Sequence, residues 1–573
     1  MTERLEQEVA AAAATGGDPR SLKRDLAEAA TDAAPATTGE NNAESKTEEA
    51  TATETSVKCA RFDTTATNDG KKKWERRDRR GTGRSSDSQP TTTSEPSSSS
   101  DRLPKRKVAV KFGYCGIGYS GLQINPGVKT IEGDIFSAFC TTGAVSADNA
   151  VNPNKVGLQR AARTDRGVHA AGNLLSLKLI LQPEGLKEGE TLVDKVNALL
   201  PEFIRIWGIT RVQNGFNARQ SCDSRMYEYL LPTYVFVPPK PGSTMHDMLK
   251  RMREEQVAKN GSSTLDEVVE HPFWQQHGVK HDFSTDMSAK KAFRLPATTL
   301  MRIRSIFARY HGSHNFHNFT VGKEFRDRSC QRFMKKLTIS EPKVIGETEW
   351  VSIKFHGQSF MLHQIRKMIG LLVLIGRTGA GKGLVEECFG PARVHIPKAP
   401  GLGLLLEQPI FDAYNSRIRN NNDKIGKLIR KKSSSAEKEE EGGERDAGRN
   451  STLEDELRES ISYSSHSGEM EKFKQQWIYD RIHSTEQETY EFGKWLNYLD
   501  VFQGPDFEFL NPKGVIPPQS IVKVGEFHRD NLRRAKENQQ GKEGDNQQHE
   551  EDDDEEDHEA YSKKGAELDE YEG

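Results

Sequence analysis

The chain has 573 residues, a formal net charge of −3 and 29% charged side chains. Its six cysteines form no CxxC pair, which argues against a disulfide framework or a zinc knuckle and fits a reducing compartment. The longest apolar run, 370–376, is too short to span a bilayer, and the N-terminus has no apolar signal core.

Composition divides the chain into seven segments. Three contain few large apolar residues and are predicted to be disordered: an N-terminal arm with basic clusters at 1–104, a linker at 416–455 and an acidic tail at 529–573. The other four are predicted to fold: a first half at 105–237, a polar insertion at 238–295, a second half at 296–415 and a helical C-terminal extension at 456–528.

The first half begins with an alternating pattern at Lys105 that predicts a strand, followed by a helix with Thr130 as its N-cap. A second alternating pattern at 173–181 predicts a strand, so the preceding "ARTDRGVHA" (162–170) forms a loop that leads into it. Loops presented by a rigid sheet commonly carry reactive residues. The segment 191–209 predicts a helix, a proline break and a strand.

Residues 225–236 predict a further strand on which alternation puts Arg225, Tyr227 and Tyr229 on one face. In the second half we predict a strand at 350–355 and then a helix with Ser359 as N-cap and Gly376 as its end. The C-terminal extension is predicted to dock through apolar residues at helical spacing: Phe492, Trp495, Leu496 and Leu499. The pattern indicates a mixed α+β body of two similar lobes with a cleft between them.

Three motifs suggest other functions. "GIGYSG" (116–121) has the GxGxxG spacing of dinucleotide-binding loops, but no helix follows at once. "GRTGAGKG" (376–383) resembles a P-loop, but glycine stands where the magnesium-binding hydroxyl belongs. "HGSHNFHNF" (311–319) offers three histidines to zinc, but no cysteine or carboxylate completes the set. We interpret all three as structural.

Asp165 is the candidate reactive group, because Arg163 and Arg166 flank it and small residues surround it. Positive neighbours favour an ionised carboxylate, although a surface ion pair would give the same pattern. Tyr227 could supply an aromatic ring on which a base stacks. Arg366 lies on an apolar helix stripe and needs an anionic partner, for which Asp165 is the candidate.

Several motifs, in order along the chain, resemble the TruA-type tRNA pseudouridine synthases, in their eukaryotic multisite branch. They are "RAARTDRGVHA", "NALLPEFIRIWG", "FNARQSCDSRMYEYLLPTY", "HNFHNFT" and "QSFMLHQIRKMIG". The resemblance implies an α+β fold of two ferredoxin-like halves, which form a continuous, mainly antiparallel sheet with a central, positively lined cleft.

The resemblance also implies the site and the chemistry. Asp165 corresponds to the catalytic aspartate, Tyr227 to the tyrosine that packs on the target base, and Arg366 to the cation paired with the aspartate. It also implies that Arg163 and Arg166 face RNA phosphates or help to eject the uridine, and we predict that Arg225, on the strand face of Tyr227, contacts RNA as well. The implied reaction is isomerisation of tRNA uridines to pseudouridine without cofactor or metal.

We further expect a monomer that binds no membrane and resides in the nucleus, since the basic clusters at 71–80 and 104–107 suit an import signal or an RNA-binding arm. snRNA and mRNA stay open as further substrates. The alternatives are an RNA chaperone that binds without turnover and a nucleotide-dependent enzyme that uses 376–383.

Overall fold

The computed structural model describes residues 103–279, 283–436, 453, 455–502 and 505–522. Within these residues ten strands form one sheet. In chain order they are β1 (Lys105–Tyr114), β2 (Gln159–Arg160), β3 (His169–Ile180), β4 (Ile204–Arg211), β5 (Ser224–Pro232), β6 (Gly312–Asn315), β7 (Gln331–Ile339), β8 (Lys343–Ile345), β9 (Thr348–Gly357) and β10 (Leu404–Ile410).

The sheet is continuous across both halves, in the order β4-β1-β3-β10-β5-β9-β7-β6, while β2 pairs with β3 and β8 with β9. Its pairs are antiparallel, except that β10 runs parallel to β3. The halves interleave at the centre: β10 comes from the second half but lies between β3 and β5, both from the first half. The predicted α+β class with a continuous, mainly antiparallel sheet is confirmed.

Helices cover the sheet and build the insertion and the extension. In chain order they are α1 (Ile131–Thr141), α2 (Ala147–Ala150), α3 (Leu192–Asn197), α4 (Thr244–Asn260), α5 (Asp266–Val269), α6 (Pro272–His277), α7 (Phe283–Lys291), α8 (Ala297–Phe307), α9 (Gln364–Thr378), α10 (Leu384–Glu387), α11 (Asp412–Ala436), α12 (Ser467–Phe473), α13 (Asp480–Thr489) and α14 (Glu491–Val501).

Local signals in the sequence explain where these elements begin. The side chain of Thr130 caps α1 by accepting a hydrogen bond from Gly133 N. Thr191 and Asp194 form a reciprocal capping box at the start of α3. On β3 the alternating residues Leu175, Leu177 and Leu179 are fully buried, since they face the helices of the first half. No helix within the described ranges is long and apolar enough to cross a bilayer.

The C-terminal extension packs on the sheet as its apolar spacing predicts. Phe492, Leu496 and Leu499 are fully buried. The Phe492 ring meets the rings of Tyr229 and Trp350 edge-on, each at a centroid distance of 6.2 Å. The extension therefore shares the main core instead of forming a separate domain.

Two predicted boundaries are wrong. The helix expected to start after Ser359 begins at Gln364 as α9, and it continues through Gly376 to Thr378. Gly376 is no helix end: a Cβ there would lie 2.9 Å from the Phe236 ring, so glycine permits close packing inside the helix.

The linker predicted at 416–455 is wrong over 416–436, because α11 occupies this stretch. One face of α11 is anchored, because Tyr414 and Ile418 are buried in a small core with Phe216 and Phe411. The burial of these side chains offsets the conformational entropy that a polar segment loses when it becomes ordered. The rest of that linker up to 452, the arm before 103 and the acidic tail lie outside the described residues.

Candidate active site

Asp165 lies in the loop between β2 and β3, next to the centre of the sheet. Its side chain is 40% exposed, so a substrate can reach the carboxylate. Its Oδ2 is 3.6 Å from Nδ1 of His363, the residue that precedes α9. The loop comes from the first half and the histidine from the second, so the site is assembled from both.

The surroundings of Asp165 keep its carboxyl group ionised. Burial alone would raise the pKa of Asp165, but the contact with His363 opposes this. The positive charges of Arg366 and Lys398 add to the effect. The net result is a pKa below the usual value for aspartate, which leaves a carboxylate available as nucleophile or base at neutral pH.

Buried and partly buried hydrogen bonds hold the loop that carries Asp165. Arg225 donates from Nε and Nη2 to Ala161 O, at 3.1 and 2.6 Å. Asn173 Nδ2 donates to Ala162 O at 3.1 Å. The hydroxyls of Tyr114 and Thr164 lie 2.7 Å apart. A loop held in this way presents its carboxylate with little reorganisation.

The "GIGYSG" segment supports this loop from the other side. Leu122 N donates to Thr164 O at 3.2 Å. A Cβ on Gly116 would lie 2.2 Å from Val168 O, and one on Gly121 2.9 Å from Thr164 O. Gly116 and Gly121 thus let two backbones approach closely, which gives two of the three glycines in this spacing a packing role.

Gly121→Ala is expected to lower the rate of the chemical step by roughly tenfold to a hundredfold, because the new methyl would displace Thr164 and hence Asp165. Gly121 also has a φ of +89°, which alanine tolerates poorly. The matched control is Gly118→Ala: its φ is +81°, but a Cβ there meets nothing within 4 Å. Single-turnover kinetics of both variants check this, and equal rates would contradict it.

Tyr227 lies on β5, opposite Leu406 of β10, whose other neighbour is Ala170 of β3. The tyrosine is 9% exposed, and its ring meets Phe360 edge-on at 5.1 Å. Burial raises the pKa of Tyr227 to about 12; the positive charge of Arg225 opposes the rise, and the negative charge of Asp165 adds to it. The phenol therefore stays neutral. Tyr227 can pack against a ligand through the edge or face of its ring, but it cannot act as a proton acceptor.

The predicted site arginines differ in how they lie relative to Asp165. Arg163 and Arg166 are exposed beside Asp165, where phosphates could reach them. Arg225 instead holds the loop backbone, so it is placed to support Asp165 more than to meet RNA. Arg366 donates from Nε to Ala399 O at 2.7 Å and acts on Asp165 through its charge, while the His363 ring lies in direct contact with the carboxylate.

His363 was not predicted from the sequence. It adopts left-handed backbone, with a φ of +59°, at the N-cap position of α9. This conformation is uncommon for a non-glycine residue and often marks a functional position. The sequence placed His363 within a helix predicted to start after Ser359, and helical spacing gives no sign of a left-handed residue at that position.

His363→Asn is expected to reduce the rate of the chemical step roughly tenfold and to move the acidic limb of the pH–rate profile towards neutral pH. Asparagine accepts left-handed backbone but removes the imidazole whose contact lowers the pKa of Asp165, so this pKa should rise. Single-turnover rates from pH 5 to 8 measure this. His311→Asn, an exposed histidine of the same half, is the control, and an unshifted limb in His363→Asn would refute the role.

In the described residues, both remaining motifs make packing contacts. Gly381 of "GRTGAGKG" donates from its backbone N to Asn511 O at 3.0 Å. A Cβ on Gly381 would lie 2.7 Å from Gly514 N. The C-terminal extension therefore occupies the space that a phosphate would need at this loop. His314 stacks on Phe389 at 4.2 Å, and the described residues contain no group of three metal-ligating side chains. A cavity of about 440 Å³ along α11 lies away from Asp165 and has no part in the site.

Comparison with known proteins agrees with this arrangement. Residues 306–412, which include His363 and Arg366, match the family model described as tRNA pseudouridine synthase. The chain is 41% identical over 451 residues to "tRNA pseudouridine synthase 1" of Yarrowia lipolytica, an alignment that covers 72% of this chain and 78% of the relative.

Two proteins of Saccharomyces cerevisiae match as well. One, "tRNA pseudouridine synthase 1", is 44% identical over 355 residues, which cover 55% of this chain and 63% of the relative. The other, "tRNA pseudouridine(27/28) synthase", is 40% identical over 327 residues, which cover 54% of this chain and 85% of the relative. These matches, together with the α+β fold and the ionised carboxylate of Asp165, indicate a tRNA-modifying enzyme. The chain belongs to the tRNA pseudouridine synthase family.

Proposed function

We propose that this protein isomerises uridines of tRNA to pseudouridine and that Asp165 is the catalytic residue. The observation that carries the proposal is a single ionised carboxylate, 40% exposed and surrounded by cations, in a chain of this family. The reaction breaks the N1–C1′ bond, joins C5 to C1′ and transfers the C5 proton to N1. Atoms and electrons balance within the nucleotide, so one carboxylate suffices.

The target base has to leave the helical stack before Asp165 can reach it. Arg163 and Arg166, exposed on either side of Asp165, are placed to bind the backbone of the extruded nucleotide. Tyr227 offers the aromatic surface against which the base packs. Arg366, fixed on Ala399 O, contributes its charge from the opposite wall.

The test uses the purified full chain with tRNA transcripts that carry no modification. We expect pseudouridine at one or a few uridines, found by chemical mapping, without added nucleotide or metal. Salt-sensitive binding with no product would favour an RNA chaperone instead. The experiment also includes transcripts of snRNA and mRNA. A site that contacts the RNA backbone more than the bases should accept other RNAs with a similar local shape.

We also propose that the protein acts as a monomer in the nucleus. Support comes from the sequence, in which the basic cluster 71–80 precedes the folded body. Neutralising Lys71, Lys72, Lys73, Arg76 and Arg77 should shift a fluorescently tagged chain to the cytoplasm and leave turnover on short RNA nearly intact. Retention in the nucleus would disprove the import role, and light scattering tests the monomer.

A further inference from the structure

The segment 458–463 of the C-terminal extension is fastened along α11. Asn415 binds the backbone of Ile461 twice: its Nδ2 donates to Ile461 O at 2.8 Å, and its Oδ1 accepts from Ile461 N at 2.7 Å. Asn422 binds the backbone of Arg458 in the same way, at 2.6 and 3.2 Å. Because Asn415 and Asn422 lie about two helical turns apart on α11, they fix the position of the segment along this helix.

Tyr463, at the end of this segment, lies against β3 of the first half. It is 7% exposed, and its hydroxyl donates to Asn173 O at 2.8 Å. Burial raises the pKa of Tyr463, so the hydroxyl keeps the proton that it donates. Lys111 on β1 donates from Nζ to Ser462 O at 3.0 Å, which adds a second contact next to the first. The extension therefore reaches the strand that follows the catalytic loop.

Asn173 borders a β-bulge in β3. Phe112 of β1 lies opposite Asn173. Tyr114, two residues later on β1, lies opposite Ala170, three residues earlier on β3, so β3 has one residue more than its partner in this interval. Bulges bend a strand and commonly occur next to active sites, where they redirect the chain. This bulge lies between the regular part of β3 and the loop that carries Asp165.

Side chains of β4 and of the extension hold the bulge. The Trp207 indole donates from Nε1 to Ala171 O at 2.9 Å. At Gly172, a Cβ would lie 3.0 Å from the Tyr463 ring and 3.1 Å from the Met470 side chain. Glycine in a strand often marks such a close approach. The extension thus packs directly on the bulged residues, in addition to the hydrogen bond from the Tyr463 hydroxyl.

Asn173 connects the bulge to the catalytic loop. Its side chain is fully buried; Nδ2 donates to Ala162 O at 3.1 Å, and Oδ1 accepts from Leu174 N at 2.8 Å. The second bond fixes the amide, so that its donor points at the loop in one orientation. Ala162 lies three residues before Asp165. A shift of Asn173 therefore displaces the loop at a point close to the reacting carboxylate.

We propose that Tyr463 is a positioning residue for the isomerisation: it holds the bulge and Asn173, and thereby fixes where the Asp165 carboxylate lies relative to the target base. This inference rests on the proposed function, since it assigns a further residue to the same reaction. Misplacement of a reacting group by about 1 Å can slow an enzyme roughly a hundredfold. The extension thus contributes to the rate through Tyr463, and not only to the core of the sheet.

The test is Tyr463→Phe in the purified full chain, which removes the hydroxyl and keeps the ring. On an unmodified tRNA transcript we expect kcat to fall roughly tenfold and KM to stay unchanged, since a displaced carboxylate slows the chemical step without altering RNA contacts. Tyr234→Phe is the matched control. The Tyr234 hydroxyl also joins the first half to the extension, by donating to Glu486, but it follows the end of β5 opposite to Arg225. This control should lower the melting temperature and leave kcat unchanged.

A double-mutant cycle tests the route through Asn173. Asn173→Ala removes the bond to Ala162 O, so adding Tyr463→Phe to it should lower kcat by much less than about tenfold. If the two effects multiply, Tyr463 does not act through Asn173 and the inference is wrong. Melting temperatures show which variants are folded, and the kinetics of Tyr463→Phe decide the inference even where Asn173→Ala is unfolded.

The kinetics also separate this inference from the proposed function. If wild-type protein is active and Tyr463→Phe has the same kcat, or raises KM alone, the inference is wrong and the proposed function stands. Wild-type protein that forms no pseudouridine would overturn the proposed function instead.

Discussion

Asp165→Asn is expected to lower the rate of pseudouridine formation by at least about 10⁴-fold, the scale at which loss of a reacting group acts in other enzymes. Asparagine preserves the shape of the side chain, so the loop should keep its hydrogen bonds to Arg225 and Asn173. It removes the negative charge, and with it any nucleophile or base.

Single-turnover mapping of pseudouridine measures the effect, with Asp148→Asn as the matched control, since this acid is exposed on α2. RNA affinity should change little or improve, because one negative charge leaves a cationic surface. Pseudouridine formed by Asp165→Asn at a rate near that of wild type would exclude Asp165 as the reacting group.

Lys474→Met is expected to lower the free energy of unfolding by about 3–5 kcal/mol, the range for breaking a buried ion pair on one side. Lys474 is 4% exposed and lies 3.3 Å from Glu228 and 3.0 Å from Glu407. Burial would lower the pKa of Lys474, but the two carboxylates outweigh burial and raise it. Without the lysine, two carboxylates would remain together on neighbouring strands, β5 and β10.

Chemical denaturation of the full chain measures this, with Lys472→Met, exposed in the same helical segment, as the control. Changing Glu228 and Glu407 to glutamine in the Lys474→Met background should recover part of the lost stability, because the uncompensated charges are then gone. Equal stability of Lys474→Met and Lys472→Met would contradict the interpretation.

The position of Asp165 in a loop that leads into a strand was predictable because its signal is local. Asp165 lies in a short segment with two arginines and small residues, and alternation at 173–181 placed that segment at the start of a strand. The Arg225–Tyr227–Tyr229 face followed from the two-residue period of a strand. The sequence pattern could not show that Arg225 turns back onto Ala161, because that contact depends on the packing of distant segments.

The residues that the second half contributes to the site were harder to predict, because their positions also depend on the packing of distant segments. The helix start was placed at Ser359 from cap chemistry, but the chain from 358 to 363 is non-helical, and His363 adopts left-handed backbone. A pattern of apolar residues carries no information about such a residue, whose conformation the surrounding structure imposes. The expected partner of Asp165, Arg366, follows from a cation on an apolar helix stripe, and that stripe does not include His363.

The position of β10 between β3 and β5 determines when this enzyme can become active during its synthesis. The ribosome completes Asp165 and Tyr227 long before it reaches 404–410, and until that strand inserts, the loop and the tyrosine have no common sheet. A nascent chain that carries both residues therefore lacks an assembled site. A nascent chain that ends before this strand therefore cannot carry the assembled site, whatever part of the first half has already folded.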